Sequence, residues 1–426
     1  PGVPVQGVPV DASQLRPGAV PYRLAGRQPK CFFAMMKAFL GLALRGRKPE
    51  AEHVHDELVS NPAYARACGF TLPDPRGAYR QSDVPSLRKL EQFDQIMDRH
   101  GLWGEMSRMQ VQSNLTAKLV EPETTLAHDT VHYHANSALR SVEVAPTKKG
   151  GKPRRVSHPR TTKACRCKDR AQCSHPWVSA DEGAGTVNKS TGKVWGHKAS
   201  TIGLVNQGVI LDAVAMTDAA SHDSKSVLPH LDRVRERFPE FLAQVTRVVD
   251  DSAADSAELK KSVLKDYGIQ LLAPINVRGR KVLKQELPRG IDRIEPTGTP
   301  VCKAGIPLDF LGCRHTTEHF LFRAPLATDG KPVCTGCALR DACCRAGGER
   351  RQVSIPFARM PWIDPEMPQL SRTFHLAIAK RTAIERIHKL MKFDYGDETL
   401  SKRGTPAFQG RLDKTVLAMH LVIAHR

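Results

Sequence analysis

Residues 380–392, with the sequence KRTAIERIHKLMK, combine one carboxylate with six basic residues. Glu385 lies four residues after Arg381 and seven before Lys392, so the three side chains fall near one face of a helix. A solvated face of ion pairs is one interpretation of this pattern. The other is a helix that presents one metal-binding carboxylate and two phosphate-binding cations to a nucleic acid.

The metal interpretation requires further carboxylates, and two segments upstream supply them. Residues 125–134 alternate and are rich in β-formers, which predicts a strand with Asp129 in its middle. Asp is depleted from central strands, so its presence there indicates a metal, a partner or an exposed edge. Residues 246–252 predict a short buried strand that ends in Asp250 and Asp251.

The cysteines predict structural metal sites. Eleven cysteines in a chain without a signal peptide favour metal ligands or buried thiols over disulfides. A C-x2-C pair, a third cysteine six residues later and a distant fourth predict closed zinc ligation, with an iron–sulfur cluster as the alternative: Cys302, Cys334, Cys337 and Cys343. A weaker zinc candidate, with unliganded surface thiols as its alternative, is Cys165, Cys167, Cys173 and His175. The histidines of the first strand are expected to face solvent: His128, His132 and His134.

The overall charge indicates a polyanionic partner. The 426 residues include 64 Lys and Arg against 44 Asp and Glu, a net charge of +20, with a pI near 9.7. The excess is spread along the chain, which favours nucleic acid, although a ribosomal or membrane-surface protein would share it. No apolar run approaches the length of a membrane span, so we expect a soluble, intracellular protein. The absence of an initial Met and the apolar final residues indicate truncation at one or both ends.

We divide the chain into five segments by composition and periodicity. Helices are expected at 31–47, 50–59 and 62–69 and from Pro85 onward, which makes the second segment a helical domain for DNA binding or dimerisation. The segments are a loosely held arm (1–28), the helical N-terminal domain (29–118), the first part of a core with a basic, cysteine-containing loop at 145–192 (119–278), a Cys-rich insertion (279–368) and the rest of the core (369–426). The last segment is expected to contain a loop (394–411) and a final helix (415–424).

The predicted elements of the core follow a recognisable order. They are three strands (125–134, 194–203, 208–216), a helix (221–238), a strand (246–252), a helix (255–267), a strand (270–275) and, much later, the Glu385 helix. This order matches an RNase H-like core, an α/β fold with a mixed five-stranded sheet and helices on both faces. Its carboxylates belong in the middle of the first strand, just past the fourth and on a late helix, where Asp129, Asp251 and Glu385 stand.

These residues resemble the DDE transposases of bacterial insertion sequences. One branch has the motif Y-x2-R-x3-E-x6-K on its catalytic helix, and Arg381, Glu385 and Lys392 match it, with Ile378 in place of the Tyr. LAHDTVHYHA is similar to the first-Asp strand, and VVDDSAADS to the second-Asp segment, where the final Asp-Ser pair selects Asp251 over Asp250. The segments GHK, SHDSK and LRDAC are similar to further family landmarks, the first of which includes Lys198.

The resemblance implies metal-dependent DNA strand cleavage and strand transfer at the ends of an insertion sequence, by a homodimer on double-stranded DNA in the bacterial cytoplasm and nucleoid. Two Mg²⁺ or Mn²⁺ ions would activate the attacking oxygen and stabilise the leaving one. We expect Asp129 to bridge both ions and Asp251 and Glu385 to complete one each. The expected phosphate-binding residues are Arg381, Lys392 and Lys198. An RNase H-like nuclease without strand transfer and a non-catalytic DNA-binding descendant remain alternatives.

Overall fold

The computed structural model describes residues 31–70, 84–137, 139–144, 154–159, 181, 183–189, 192–278, 280–344, 348–396 and 398–425. The predicted arm at 1–28 lies outside these ranges. So does the weaker zinc candidate: Cys165, Cys167, Cys173 and His175. Within the ranges, none of the helices is both long enough and apolar enough to span a membrane.

The N-terminal part of the described chain is helical. Its helices are Phe32–Leu44 (α1), Ala51–Ser60 (α2), Pro62–Cys68 (α3), Leu87–Arg99 (α4) and Leu102–Thr116 (α5). The rings of Phe39, Phe93 and Trp103 pack together at the centre of their shared core. The four helices predicted here are confirmed. The sequence gives no separate signal for α5 because it also buries Gly104 and Asn114, so no single apolar stripe marks it.

The next elements are strands, most of which form a mixed sheet. Their bounds are Thr125–His134 (β1), Leu139–Val144 (β2), Arg154–Pro159 (β3), Gly185–Lys189 (β4), Gly192–Leu204 (β5), Val209–Ala215 (β6), Arg247–Val249 (β7) and Gln270–Leu272 (β8). β1 lies between antiparallel β5 and parallel β7, and β8 lies beyond β7. On the edge of β5 that faces away from β1, β4 pairs with the first residues of β5 and β6 pairs with its last residues.

The register of the sheet decides where its polar residues come together. Ala127 of β1 pairs with Val249 of β7, so Asp129 and Asp251 each lie two residues beyond a matched pair. Because β1 and β7 are parallel, Asp129 in the middle of β1 therefore lies level with Asp251, just past the carboxyl end of β7. Three of the predicted strands, β1, β5 and β6, run close to their predicted bounds, while β7 and β8 are shorter.

The sheet differs from the predicted one in its edge strand and in the loop before it. It has six strands in the described residues, not five, because β4 forms a hairpin with the start of β5. The segment 145–192, predicted as a loop, contains β4 and β3, and β3 pairs with β2 in a separate ribbon. Lys, Arg and Pro in these strands hide the apolar alternation that would have revealed them.

Several helices follow or cover the strands. They are Val227–Arg237 (α6), Pro239–Leu242 (α7), Ala257–Tyr267 (α8), Arg340–Cys343 (α9), Arg372–Ala379 (α10), Thr382–Lys389 (α11) and Thr405–Ala424 (α12). Short 3₁₀ helices span Asp223–Ser226, Ser252–Ala254, His315–Thr317 and Phe357–Arg359. The helix predicted over 380–392 begins at α11 and continues as a π-helical segment, Leu390–Asp394.

Helix α12 joins the helical part of the chain to the sheet. It begins ten residues before the predicted start, since Pro406 suits the first turn of a helix. The side chain of Gln409 covers the free edge of β6 by pairing with the N–H of Ala215 and the carbonyl of Ala213, at 2.7 and 3.0 Å. Lys414 is buried and donates to Asp94 of α4 at 2.9 Å. These contacts tie α12 to both neighbours.

The predicted Cys-rich insertion has a separate core. Its strands are Ile291–Ile294 (β9), Pro300–Cys302 (β10), Asp309–Arg314 (β11), His319–Arg323 (β12) and Gln352–Pro356 (β13). β9 pairs with β10, and β12 lies between β11 and β13 in an antiparallel sheet. Alternate residues of β12, Phe320 and Phe322, are fully buried between the strands and the following loop.

Candidate active site

Two of the three predicted metal ligands meet at one cation. Arg381, in the turn between α10 and α11, donates from Nη1 to Asp129 Oδ2 at 3.1 Å and from Nη2 to Glu385 Oε1 at 2.6 Å. Asp129 comes from the middle of β1, and its side chain is 18% exposed, whereas that of Glu385 is 56% exposed. The structure thus brings together a strand and a helix far apart in sequence, with a guanidinium between their carboxylates.

Helix α11 can approach the sheet closely because of Gly203 in β5. A Cβ at this position would lie 2.6 Å from the side chain of Ile387 and 2.8 Å from that of Ile384, which are both fully buried. Burying two such side chains contributes roughly 3–6 kcal/mol. The apolar side of α11 is therefore the surface that fixes the height of Glu385 above the sheet.

Asp251 lies at the end of the neighbouring strand. Its Oδ1 accepts a hydrogen bond from the N–H of Ala253 at 2.7 Å and caps the 3₁₀ helix that follows β7. Burial, together with the nearby carboxylates of Asp250 and Asp223, raises its pKa, while Arg381 acts in the opposite direction. Asp251 is therefore within electrostatic range of the same guanidinium that Asp129 and Glu385 contact.

The environment of Asp129 favours the binding of a cation. Burial raises its pKa to about 6, even though the N–H of Thr130, at 2.7 Å, and the charge of Arg381 both act to lower it. A carboxylate that is costly to ionise gains more from a nearby positive charge than a fully solvated one does. Oxygen ligands of this kind suit Mg²⁺ or Mn²⁺.

No three His, Cys, Asp or Glu side chains in the described ranges are placed closely enough to hold a metal ion as they stand. At the carboxylate site, Arg381 occupies the space between Asp129 and Glu385. The donor set nevertheless fits a hard divalent cation, because a positive charge already lies where two of the carboxylates converge.

His388 positions Asp129 from behind. Its Nε2 donates to Thr201 Oγ1 at 2.7 Å, and that hydroxyl donates to the carbonyl of Asp129 at 3.0 Å. Burial and the positive charge of Lys392 lower the pKa of His388 to about 3, so the ring is neutral. It is one of the six basic residues of the segment 380–392, and it acts as a neutral hydrogen-bond link rather than as a cation.

Asp250 belongs to a buried network beneath the site. Its Oδ2 accepts from His128 Nδ1 at 2.7 Å, and the other nitrogen of His128 lies 2.8 Å from Ser200 Oγ, which contacts His230 at 2.7 Å. Burial acts to lower the pKa of His128, but the Asp250 carboxylate outweighs it and raises the pKa. The expectation that His128 faces solvent was wrong, because β1 is an inner strand and this face of it is covered. Asp250 is only 2% exposed, so Asp251 is the accessible member of the pair.

Asp223 is a fourth carboxylate that was not among the predicted ligands. It accepts from Thr130 Oγ1 at 2.7 Å and from Lys198 Nζ at 2.8 Å, and Lys198 also donates to the carbonyl of Ser221 at 2.6 Å. Burial acts to raise the pKa of Asp223, but its bond to Lys198 outweighs that effect and lowers it. The only sequence signal for Asp223 was the segment SHDSK. Lys198, predicted to bind phosphate, is buried and neutralises this carboxylate.

Lys392, the other predicted phosphate-binding lysine, lies in the π-helical segment. Its Nζ is 5.6 Å from the centre of the Tyr133 ring, in a cation–π arrangement. Tyr133 is fully buried near the end of β1, so this contact places Lys392 over that end of the strand, beyond Asp129.

The predicted zinc cysteines line one small cavity of about 20 Å³ in the insertion. The cavity is lined by five thiols, four of them predicted: Cys302, Cys334, Cys337, Cys343 and Cys344. Burial and the neighbouring thiol of Cys334 raise the pKa of Cys344. Three segments of the chain therefore contribute cysteines to the lining of one cavity, and Cys344 joins the four that spacing alone identified.

Comparisons with known proteins add little to this geometry. No family model matches the chain, and no curated protein matches it by sequence. The chain is similar to a piggyBac transposase in a synaptic complex with hairpin DNA, at 9% identity and a TM-score of 0.35 over 96% of this chain and 70% of that one. It is also similar to a pre-cleavage Mos1 transpososome, at 9% identity and a TM-score of 0.18 over 59% of this chain and 61% of that one. Similarities this weak carry no argument about function.

Proposed function

We propose that the chain is a DDE transposase, a polynucleotidyl transferase that cuts and joins DNA at the ends of an insertion sequence. The observation that supports this most directly is the convergence of Asp129 and Glu385 on Arg381, with Asp251 at the adjacent strand end. An ordinary surface ion pair needs no inner-strand carboxylate, whereas several carboxylates brought together from different elements supply the oxygen ligands that divalent cations prefer.

The strand order supports an RNase H-like core. Counting only the predicted strands, the order across the sheet is third, second, first, fourth and fifth, as β6, β5, β1, β7 and β8. The second strand is antiparallel to its two neighbours, the first and the third, and the last two strands are parallel to the first. This arrangement places the carboxylates of the first and fourth strands side by side.

Each residue has a proposed role in the reaction. Two Mg²⁺ or Mn²⁺ ions, when bound, would activate the attacking oxygen and stabilise the leaving oxygen. Asp129 would be the shared ligand, with Asp251 and Glu385 completing one ion each. Arg381 would grip a DNA phosphate by its fork. Lys392 would provide a further positive charge for the DNA backbone.

The remaining proposals concern the parts around this site. The net charge of +20 suits double-stranded DNA, which the helical domain would help to position and hold in a homodimer, in the bacterial cytoplasm. Lys198 would contact a phosphate only after releasing Asp223. Thiols around the cavity of the insertion, those of Cys302, Cys334, Cys337 and Cys343, would hold one structural zinc ion.

The test is incubation of the purified protein with Mn²⁺ and the DNA that flanks its own gene. Nicked and joined products are expected, and Asp129→Asn should give neither. Nicks without joined products would support the nuclease alternative. DNA binding without any cutting would support the non-catalytic one and overturn the proposed chemistry.

A further inference from the structure

One face of the catalytic helix continues past its end as an exposed stripe. On α11 and the π-helical segment, six exposed residues follow steps of three and four, and Asp394 is exposed beside the last of them: Thr382, Glu385, Arg386, Lys389, Leu390 and Phe393. The stripe includes the proposed metal ligand Glu385 and ends at the ring of Phe393, which is 61% exposed. Eight residues separate Glu385 from Phe393, which corresponds to about 12 Å along a helix.

A turn of the helical N-terminal domain lies against the end of this stripe. A Cβ on Gly46 would be only 2.5 Å from the carbonyl oxygen of Asp394, and Gly46 has a φ of +67°, so the contact requires glycine. The neighbours of Gly46 are basic, namely Arg45, Arg47 and Lys48. Arg45 and Arg47 keep 48% and 44% of their side chains exposed although both pair with an acid.

We propose that Phe393, supported by Leu390, contacts a DNA base close to the phosphate that is cut. The choice of DNA as the partner rests on the proposed function. The contact with a base is additional, because the predicted site residues are proposed to bind only metal ions and phosphates. The surrounding cations, on α11 and on the turn at Gly46, would hold the backbone. A phenyl ring has neither charge nor hydrogen bond to offer a phosphate, but it can stack on the face of any base.

The charge around the ring selects DNA over a protein or a second copy of the chain. Lys389 lies one turn and Arg386 two turns before the ring, and the basic turn at Gly46 lies beside it, against one exposed carboxylate, Asp394. A second copy of this chain would bring more positive charge to the same place, since the whole chain is at +20. DNA suits both features of this surface, because its phosphates pair with the cations and its bases can stack on the ring.

The experiment compares two DNA probes without divalent ions, so that cutting does not interfere. One is a blunt duplex, and the other is the same duplex with a single-stranded tail that contains 2-aminopurine. Phe393→Ala should weaken binding of the tailed probe roughly tenfold and of the blunt probe much less, because stacking needs an unpaired base. Phe393→Trp should restore the binding, and the wild type should change the fluorescence of the 2-aminopurine where Phe393→Ala does not.

Leu376→Ala is the matched control, because Leu376 is a 63% exposed apolar side chain on α10 that is absent from the stripe. The inference is overturned if Phe393→Ala behaves like Leu376→Ala, if it weakens both probes equally, or if the wild type binds neither probe. The proposed function fails separately. If the protein shows the stacking pattern but never cuts DNA with Mn²⁺, the proposed chemistry is wrong and the proposed base contact stands. If it cuts DNA but Phe393→Ala binds both probes as the wild type does, the proposed function stands and the base contact is wrong.

Discussion

Replacing Arg381 with Gln should strengthen the binding of divalent ions in the absence of DNA. Arg381 is the cation between Asp129 and Glu385, at 3.1 and 2.6 Å. An ion that uses these two carboxylates must displace the guanidinium first. The same substitution should abolish or greatly reduce DNA cutting, because the fork that would hold a phosphate is lost. Tighter ion binding together with weaker catalysis is the expected signature.

The expected gain follows from the exposure of the two ion pairs. The bond to Asp129 is charge-assisted and mostly buried, so it contributes about 1.5–3 kcal/mol. Glu385 is 56% exposed, and such a pair contributes only about 0.2–1 kcal/mol. Taking roughly 2 kcal/mol as the cost of displacing Arg381, its removal should tighten the dissociation constant for Mn²⁺ about 30-fold.

The assay is a titration of metal-free protein with Mn²⁺, followed by the electron paramagnetic resonance of the free ion. Lys380→Gln is the control, because Lys380 is the exposed neighbour of Arg381 and its loss changes the net charge equally. Arg381→Gln should bind Mn²⁺ much more tightly than this control. Equal affinities, or weaker binding by Arg381→Gln, would refute the view that the guanidinium competes with the ions.

Further predictions concern the proposed ligands. Asp129→Asn, Asp251→Asn and Glu385→Gln should each abolish DNA cutting while leaving DNA binding nearly intact, and parental cutting by any one of them removes that residue from the site. Burial raises the pKa of Asp129 to about 6, so the ionised carboxylate lowers the free energy of unfolding above that pH. Well below that pH the group is protonated and this effect is absent. Metal-free Asp129→Asn should therefore melt at a higher temperature than the parent at pH 7, and the difference should shrink toward pH 4, as calorimetry can check. Purified protein should contain about one tightly held zinc ion, and Cys334→Ser with Cys337→Ser should release it and lower the melting temperature by several degrees; elemental analysis that finds no metal in the parent would contradict this.

The parts of the fold that depend on local pattern were predictable. β1 begins and ends at its predicted residues, and residues that favour strands occur along it, among them Thr125, Val131 and Tyr133. Ile384 and Ile387, three residues apart, mark the buried side of α11 in the sequence, and α8 ends at the predicted residue, 267, because Gly268 takes the left-handed conformation. These signals fix where Asp129 and Glu385 lie along their own elements.

The contacts that complete the site were not predictable, because they join residues far apart in sequence. His388 contacts Thr201 across 187 residues, and Thr130 contacts Asp223 across 93. Nothing in a helical pattern distinguishes a neutral, buried His388 from a solvated cation. The difference depends on the strand that packs against it. The same reason hid the contact between Arg381 and Asp129.

The position of Arg381 links ion binding to DNA binding. Its guanidinium cannot hold Asp129 and Glu385 and also present the same fork to a phosphate. Ions that take over the two carboxylates would release the fork for DNA, and DNA that takes the fork would release the carboxylates for ions. Linkage requires the two effects to be equal, so DNA should tighten Mn²⁺ binding by the same factor by which Mn²⁺ tightens DNA binding. Asp251→Asn should keep part of this mutual effect, because Asp251 makes no direct contact with the guanidinium, whereas Arg381→Gln should lose most of it. A mutual effect of parental size in Arg381→Gln would show that the ions and the DNA are coupled by direct contact with each other and not through this side chain.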